Sequence, residues 1–485
     1  MTRFRWKSVL HILGVLILLN SAFLLLSTGV SWYFSDDALS AFSIALLVSV
    51  LAGGLAFGTT LRGKQEVRKR EGYLIVATGW VVLSLFGSLP YFLSGAIPNY
   101  TDAFFETMSG FTTTGATILR DIEAMPPSLL FWRSCTQWIG GMGMIVLAVA
   151  ILPILGVGGM QLFIAEMPGV SYDKLQPRIR ETAKRLWVIY TGLTALVCVL
   201  LAMSGMGWFD GINHALTTLA TGGFSTKNAS IAYFNNPYVE YIITVFMFLG
   251  GTNFLLIYIL LRGRVQEIMR NEEFKYYFLL AVLVSVLVTT LLVVQSGHPT
   301  ADAIRQSIFQ VVAIITTTGY TVLDYTAWGP IVEWTFFLLM FTGAMAGSTS
   351  GGVKLVRHII IAKNCILELK RLIHPSAIIP VRFNTRPVSS NITHNIMAFV
   401  IIYVTIFGAG SFTMTLLGLD VTTAIGSVAS AIGNVGPAFG NAGPADNYAH
   451  FPGAGKWLLS FLMMTGRLEL FTVLILFTGY FWRRE

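Results

Sequence analysis

One short pattern occurs four times in this chain: an Asp, an apolar stretch, then a Gly flanked by hydroxyl or small residues. The copies are Asp102 to Thr112-Thr113-Thr114-Gly115, Asp210 to Ala220-Thr221-Gly222-Gly223, Asp302 to Thr316-Thr317-Thr318-Gly319, and Asp420 to Gly433-Asn434-Val435-Gly436. Asp and Gly lie 13, 13, 17 and 16 positions apart. A second glycine cluster follows each copy inside an apolar segment, at Gly140-Gly141, Gly250-Gly251, Gly343 to Gly352, and Gly466. Four repeats of helix, re-entrant loop and helix in one chain predict a ring about a central axis. Backbone carbonyls facing such an axis in a membrane are suited to cation selection.

Lipid is the expected solvent. Of 485 residues, 54% are hydrophobic and only 12% charged, about half the charge density of a soluble domain. The net charge of +8 does not point to nucleic acid, because the basic residues are sparse and segregated. They gather in 62–70, 174–185, 262–275, 354–371 and 483–484, while Asp36, Asp37, Asp102, Asp121, Glu123, Asp210, Asp302 and Asp420 fall mostly in the alternate connections. This asymmetry predicts cytoplasmic basic loops and cytoplasmic termini. Cys135, Cys198 and Cys365 have neither disulfide nor metal-ligand spacing, and the seven histidines form no ligand motif. Arg3, Arg5 and Lys7 before an apolar run imitate a signal peptide, but the run is long enough to span and a second follows at once, so a retained first helix is expected.

Apolar segments able to cross about 30 Å of hydrocarbon occur near 9–32, 39–61, 73–95, 130–155, 186–205, 238–261, 276–295, 331–350, 392–417 and 456–482. Four shorter ones, 102–112, 210–220, 302–316 and 420–432, sit in outward connections and read as half-helices. Irregular backbone at membrane depth must line water or be buried in protein, which places the Thr/Gly stretches on an aqueous axis. The upstream Asp of each copy is expected to cap its half-helix, and the helix C-terminus then favours a cation. The threonines suit extended backbone, and the Gly supplies a positive φ.

Two features lie beyond these loops. The stretch Gly343-Ala344-Met345-Ala346-Gly347-Ser348-Thr349-Ser350-Gly351-Gly352 is too rich in glycine for a firm helix. Its spacing does not match a phosphate loop. It reads as an intramembrane loop able to gate, or alternatively as a close helix-packing face. Arg467 lies inside the last apolar segment, where a charge must face water or a partner. It is either an electrostatic barrier below the filter, with Glu469 partnering it or the broken helix of the third repeat, or half of a buried structural pair with Glu469. The stretches 174–185 and 357–371 alternate basic and apolar residues, which suits the inner membrane surface or a cytosolic partner.

The four membrane–pore-loop–membrane repeats, the Gly-Ser-Thr-Ser-Gly-Gly break at 347–352 and the Gly-Arg-Leu-Glu string at 466–469 together resemble the Trk/Ktr/HKT superfamily of potassium-uptake proteins. The match covers about 73–485, and the added pair at 9–61 is similar to the Trk-type bacterial membrane subunit. The resemblance implies a filter at Thr112–Gly115, Ala220–Gly223, Thr316–Gly319 and Gly433–Gly436, binding potassium as the transported ion. It implies a gate at Gly343, Ala346, Gly347, Ser348, Thr349, Ser350, Gly351 and Gly352 beside Arg467. It further implies a homodimer with one pore per chain, in the bacterial inner membrane, with a cytosolic nucleotide-binding (NAD, ATP or ADP) regulatory subunit and no cofactor in this chain. The fourth loop departs from the Thr-rich form at Asn434 and Val435. One principal Gly per repeat implies modest potassium selectivity, with rubidium passing and sodium passing weakly.

The expectation is thus an all-α integral membrane protein with four pore repeats around a pseudo-fourfold axis: 1–72 as the N-terminal helix pair, then 73–165, 166–265, 266–385 and 386–485 as the repeats. A proton- or sodium-coupled symporter is the alternative. It would require relay carboxylates at membrane depth, and none falls in the four loops. An enzyme would require a nucleophile, base or metal grouping, and none was found in the sequence.

Overall fold

A computed structural model describes residues 4–61, 68–146, 176–297, 299–374, 376–377 and 379–483. The expected span 130–155 is described only to Val146 and the basic stretch 174–185 only from Gln176; the remainder of each lies outside the described residues.

The architecture is helical throughout, apart from a short hairpin pairing Arg382–Phe383 with Arg386–Pro387. Helices α1 (Trp6–Phe34) and α2 (Leu39–Gly58) form an antiparallel N-terminal pair. Gly14 allows their close approach, since a Cβ there would lie 2.8 Å from the backbone nitrogen of Phe57. The chain continues as α3 (Lys69–Gly87), α4 (Leu89–Leu93), α5 (Tyr100–Phe111), α6 (Pro127–Val146), α7 (Gln176–Leu201), α8 (Trp208–Leu219), α9 (Pro237–Gly250), α10 (Phe254–Leu261), α11 (Val265–Arg270), α12 (Glu272–Ser296), α13 (Thr300–Ile315), α14 (Pro330–Met340), α15 (Leu355–Ile373), α16 (Ser390–Leu416), α17 (Val421–Gly433) and α18 (Gly453–Arg467).

The short helices α5, α8, α13 and α17 are the expected half-helices. Each packs against an outer helix of its own repeat (α3, α7, α12 or α16) and against its own inner helix (α6, α9, α14 or α18). Each also packs against the inner helix of the preceding repeat: α8 on α6, α13 on α9, α17 on α14, and α5 on α18. The last contact joins the fourth repeat to the first and closes the ring. Burial follows the same logic. Large apolar residues such as Leu47, Leu55, Leu283, Val286, Ile401 and Leu416 are exposed on the outside, while Thr112, Thr113, Thr114, Thr316, Thr317, Thr318 and Asn434 are fully buried at the centre. A chain with apolar exterior and polar interior is adapted to lipid.

Among the described residues, six helices are long and apolar enough to cross a membrane, and two bent pairs bring the number to eight. The expected continuous spans at 238–261 and 456–482 are broken instead. The first bends by 107° between α9 and α10, the second by 113° between α18 and the segment Phe471–Phe477. Asn253 starts a new helix by accepting a hydrogen bond from the Leu255 N–H at 2.9 Å. Glu469 adopts a positive φ of 58° one residue before Leu470, which is also non-helical. The expected span 331–350 stops as helix at Met340 and continues as a loop to Lys354.

The expectation that each upstream Asp caps its half-helix holds only in the fourth repeat. There Asp420 is the N-cap and accepts from the Thr423 N–H at 3.0 Å. The Thr423 hydroxyl and amide together hold this carboxyl below the usual carboxylate range. The other half-helices start at Asn99, Gly207 and Pro299, which leaves Asp102, Asp210 and Asp302 inside the first turn. There the helix dipole still favours an anion, and side chains engage it: Lys456 with Asp102 at 2.6 Å, the Thr226 hydroxyl with Asp210 at 2.7 Å, and Arg305 with Asp302 at 3.0 Å.

Candidate functional site

The four half-helices end alike. In the first repeat the Thr113 N–H donates to Gly110 O and the Thr114 N–H to Ser109 O, both at 2.9 Å. This paired arrangement is a Schellman ending, which requires a left-handed residue at its turn. That residue is Thr113, Thr221, Thr317 or Asn434, with φ of 52°, 52°, 55° and 54°. The threonines are therefore not extended throughout, as their composition suggested. Asn434 occupies the backbone position of Thr113, and asparagine tolerates this conformation better than a β-branched residue does. The fourth loop thus departs in side chain while keeping the backbone of the other three.

Two residues later comes Gly115, Gly223, Gly319 or Gly436, with φ of 84°, 78°, 78° and 102°. These glycines touch one another's loops in cyclic order. A Cβ on Gly115 would lie 2.3 Å from Gly222 O, on Gly223 1.9 Å from Thr318 O, on Gly319 2.0 Å from Val435 O, and on Gly436 2.6 Å from Thr114 O. Each loop presents the carbonyl before its glycine to the glycine of the preceding loop. The helix endings also turn their negative dipole ends toward this ring.

The inner-helix glycines make room behind it. A Cβ on Gly140 would meet Phe111 O at 1.9 Å, and one on Gly466 would meet Ile432 O at 2.1 Å. Gly141, Gly251 and Gly351 lie against the next repeat, 2.8 Å from Ala220 Cα, 2.8 Å from Thr316 Cγ2 and 2.6 Å from Asn434 Cβ respectively, as measured from the same added atom.

Several residues that buttress the loops escaped the sequence reading. Gln137 donates to Gly222 O at 2.6 Å and accepts from the Phe224 N–H at 3.0 Å. The Tyr448 hydroxyl and the Ser430 hydroxyl both donate to Gly436 O, at 2.9 and 2.8 Å. Glu106, on the first half-helix, pairs with Arg133 at 2.6 Å and accepts from the Ile118 N–H at 2.9 Å. Arg133 also donates to Ser225 O at 2.8 Å and lies over the Phe224 ring. One buried ion pair therefore ties together the chain leaving the first two loops. The signal was available: Glu106 and Arg133 are charges inside apolar segments, the criterion that singled out Arg467.

Beneath the ring lies the loop 341–354. Gly343 donates its N–H to Val353 O at 2.8 Å, closing the loop at its neck. The Ala346 N–H donates to Glu273 at 2.9 Å, and Gly347 O accepts from the Phe254 N–H at 3.1 Å. The Ser348 hydroxyl contacts that of Ser350 at 2.9 Å, and Lys354 folds back onto Ser350 O. Thr349 is the hub, its hydroxyl 3.0 Å from both Leu219 O and Gly250 O. The Gly351 N–H donates to the Thr317 hydroxyl at 2.7 Å, and Gly352 adopts a φ of 66°. The stretch is a loop and not a helix-packing face.

Arg467 is fully buried and bridges two elements. Its guanidinium donates to Thr349 O at 2.7 Å and to Gly140 O at 3.3 Å. Glu469 does not pair with it. Glu469 pairs with Arg357 on α15, which also lies over the Phe399 ring. The bend after α18 turns Glu469 away from Arg467, so of its two expected partners it takes the broken helix of the third repeat, where that helix resumes as α15, and the Arg467–Glu469 pair is absent. Among the described residues no group of three His, Cys, Asp or Glu is placed to hold a metal ion.

Four re-entrant loops inside a bundle of apolar helices define a multi-pass membrane transport protein of pore-loop architecture. Comparison with known proteins narrows this. The family model described as TrkH, cation transport protein, matches residues 38–484. The chain is 40% identical to the Trk system potassium uptake protein TrkH of Halomonas elongata and 40% identical to that of Escherichia coli K12, each over 99% of both chains. The crystal structure of the potassium transporter TrkH from Vibrio parahaemolyticus superposes with a TM-score of 0.91 at 35% identity, covering 99% of this chain and 100% of that one. The chain belongs to the TrkH family of cation transport proteins, and is a transporter and not an enzyme.

Proposed function

We propose that this protein takes up potassium across the bacterial inner membrane, with N- and C-termini cytoplasmic, by passive passage through the four-loop ring. The observation that carries this reading is the cyclic contact of Gly115, Gly223, Gly319 and Gly436 with the carbonyls of the adjoining loops. Such a ring offers carbonyl dipoles in place of the ion's hydration shell. The filter comprises Thr112–Gly115, Ala220–Gly223, Thr316–Gly319 and Gly433–Gly436; rubidium also passes, and sodium weakly. The gate is the stretch Gly343–Gly352, held shut by Arg467, whose charge also opposes cations below the ring. The repeats divide at 73–165, 166–265, 266–385 and 386–485, after the pair 1–72. The relatives are named as parts of a Trk system, which supports other Trk components as partners; we assign a cytosolic nucleotide-binding subunit and a homodimer to that role.

The test is flux of potassium, rubidium and sodium into liposomes holding the purified chain, wild type beside Gly115→Ser. Passage of potassium and rubidium over sodium, lost in the variant, is the expected result. Identical selectivity in both proteins would remove the filter assignment, and flux only under an imposed proton or sodium gradient would replace passive passage by coupling.

A further inference from the structure

A cavity of about 950 Å³ opens between the end of α10, α11, the first turns of α12, the middle of α15 and the hairpin at 382–387. It belongs to neither the ring nor the loop beneath it. Five basic residues line it against two acids, and both acids already have basic partners. Glu272 pairs with Lys363 and accepts from the Asn384 N–H at 2.9 Å. Glu267 pairs with Arg264 at 3.3 Å. Arg270, Lys275 and Arg382 have no acidic partner among the described residues. With the two lining acids matched by Arg264 and Lys363, three cations remain on one cavity without an acidic partner of their own and repel one another, which is the electrostatic condition for an anion site.

The walls state what kind of anion. Tyr276 and Leu279, one and four residues beyond Lys275 on α12, line the cavity and are 43% and 48% exposed. Since α12 is one of the helices able to cross a membrane, these side chains stand on its first turns, the level at which such a helix would enter the bilayer. The segments 262–275 and 354–371 that frame the cavity are among the basic ones assigned to the cytoplasmic side. A cationic pocket continuous with an apolar wall at that level matches the headgroup and upper chain of an anionic phospholipid. We infer that this cavity is a phosphate-ester site, occupied by the headgroup of an anionic phospholipid held by Arg270, Lys275 and Arg382.

The position has a consequence for the loop 341–354. Glu273, adjacent to the cavity-lining Glu272, accepts from the Ala346 N–H at 2.9 Å and from the Val356 N–H at 3.2 Å. The first turn of α12 therefore both walls the site and holds the loop. The inference requires that the helices cross a bilayer, which family membership supplies, and does not require that the ring conducts.

The test measures retention of phosphatidylglycerol and phosphatidylcholine on the purified full chain in detergent, by native mass spectrometry. Three proteins are compared: wild type, Arg270→Gln/Lys275→Gln/Arg382→Gln, and a control of equal charge loss, Lys184→Gln/Arg185→Gln/Arg262→Gln. A basic side chain at an anionic surface contributes roughly fivefold to affinity, so the pocket triple variant should hold phosphatidylglycerol at least about tenfold more weakly than the control. Should that variant misfold, the single exposed change Lys275→Gln should still weaken binding several-fold. Equal retention by pocket and control variants, or equal binding of the two lipids, overturns the inference. Displacement of the lipid by millimolar inorganic phosphate overturns the lipid as occupant and assigns the site to free phosphate.

Discussion

The cyclic contacts around the ring predict a graded response to adding one methyl group at each glycine. Real side-chain contacts do not fall below 3.0 Å, so Ala at Gly223, Gly319, Gly115 and Gly436 requires retreats of 1.1, 1.0, 0.7 and 0.4 Å from the opposing carbonyls. Each obstacle is backbone, which cannot swing aside as a side chain can. A left-handed conformation at a residue bearing a Cβ adds roughly 1–2 kcal/mol of strain. If the loop relaxes by that amount, an equilibrium resting on its geometry changes by roughly 5- to 30-fold. The potassium-to-sodium permeability ratio should fall by about that factor in Gly223→Ala and by progressively less through Gly319→Ala and Gly115→Ala to Gly436→Ala. Reversal potentials under bi-ionic conditions in planar bilayers measure the ratio directly, and size-exclusion profiles show whether each variant is folded. A ratio untouched in all four, or Gly436→Ala more harmful than Gly223→Ala, would refute the reasoning.

Other expectations concern the surroundings of the ring. Arg467→Ala removes the guanidinium's hydrogen bonds to Thr349 O on the loop and to Gly140 O on α6 and should raise potassium flux several-fold; lower flux together with a lower unfolding temperature would assign Arg467 a purely structural role. Arg357→Met leaves the buried Glu469 carboxylate unpaired and should cost about 3–5 kcal/mol. The double variant Arg357→Met/Glu469→Leu should recover most of the lost thermal stability, and a double no better than the single would show that the pair is not the cause. Asp420→Asn tests the cap. The depressed carboxyl of Asp420 contributes stability that is present above its unfolded value near pH 4 and lost as pH falls through the folded value. The variant should therefore lose less stability than wild type when acidified through that window, read as a shift in unfolding temperature. An unchanged acid response would count against Asp420 as a stabilising cap.

Much of this architecture is legible in the sequence because membrane proteins repeat themselves coarsely. Apolar length marks the helices, and the recurrence of Asp and Gly marks the half-helices and their endings. What the sequence hid was local and came from contacts across repeats. The bends at Asn253 and Glu469 fall beside glycines and polar residues within segments that are apolar on average, and hydropathy has no term for a break satisfied by a partner. The Phe254 N–H finds Gly347 O, on a loop of another repeat. The left-handed Thr113, Thr221 and Thr317 contradict the preferences of a β-branched residue, and only the helix ending that encloses them accounts for the conformation. Of the two partners open to Glu469, Arg467 and the broken helix of the third repeat, the contact falls on Arg357 of the latter, 112 positions away, and no sequence rule ranks so distant a partner above a neighbour.

The ring of glycines and carbonyls has no free end. A hinge or flap moves by swinging about one fixed edge, but each of these loops is bounded by a neighbour on both sides, and the fourth meets the first. An aperture built this way changes diameter as an iris does, by all its leaves together or not at all. Mechanical work entering at one loop is shared among four, which makes the ring stiff against a push on any single leaf. The stretch at 343–352 has no counterpart in such a closed circuit. It hangs on separate attachments, among them those at Thr349, Gly351 and Ala346, each of which can be released without the others; in the function proposed above, opening falls to the layer that can let go singly and discrimination to the one that cannot.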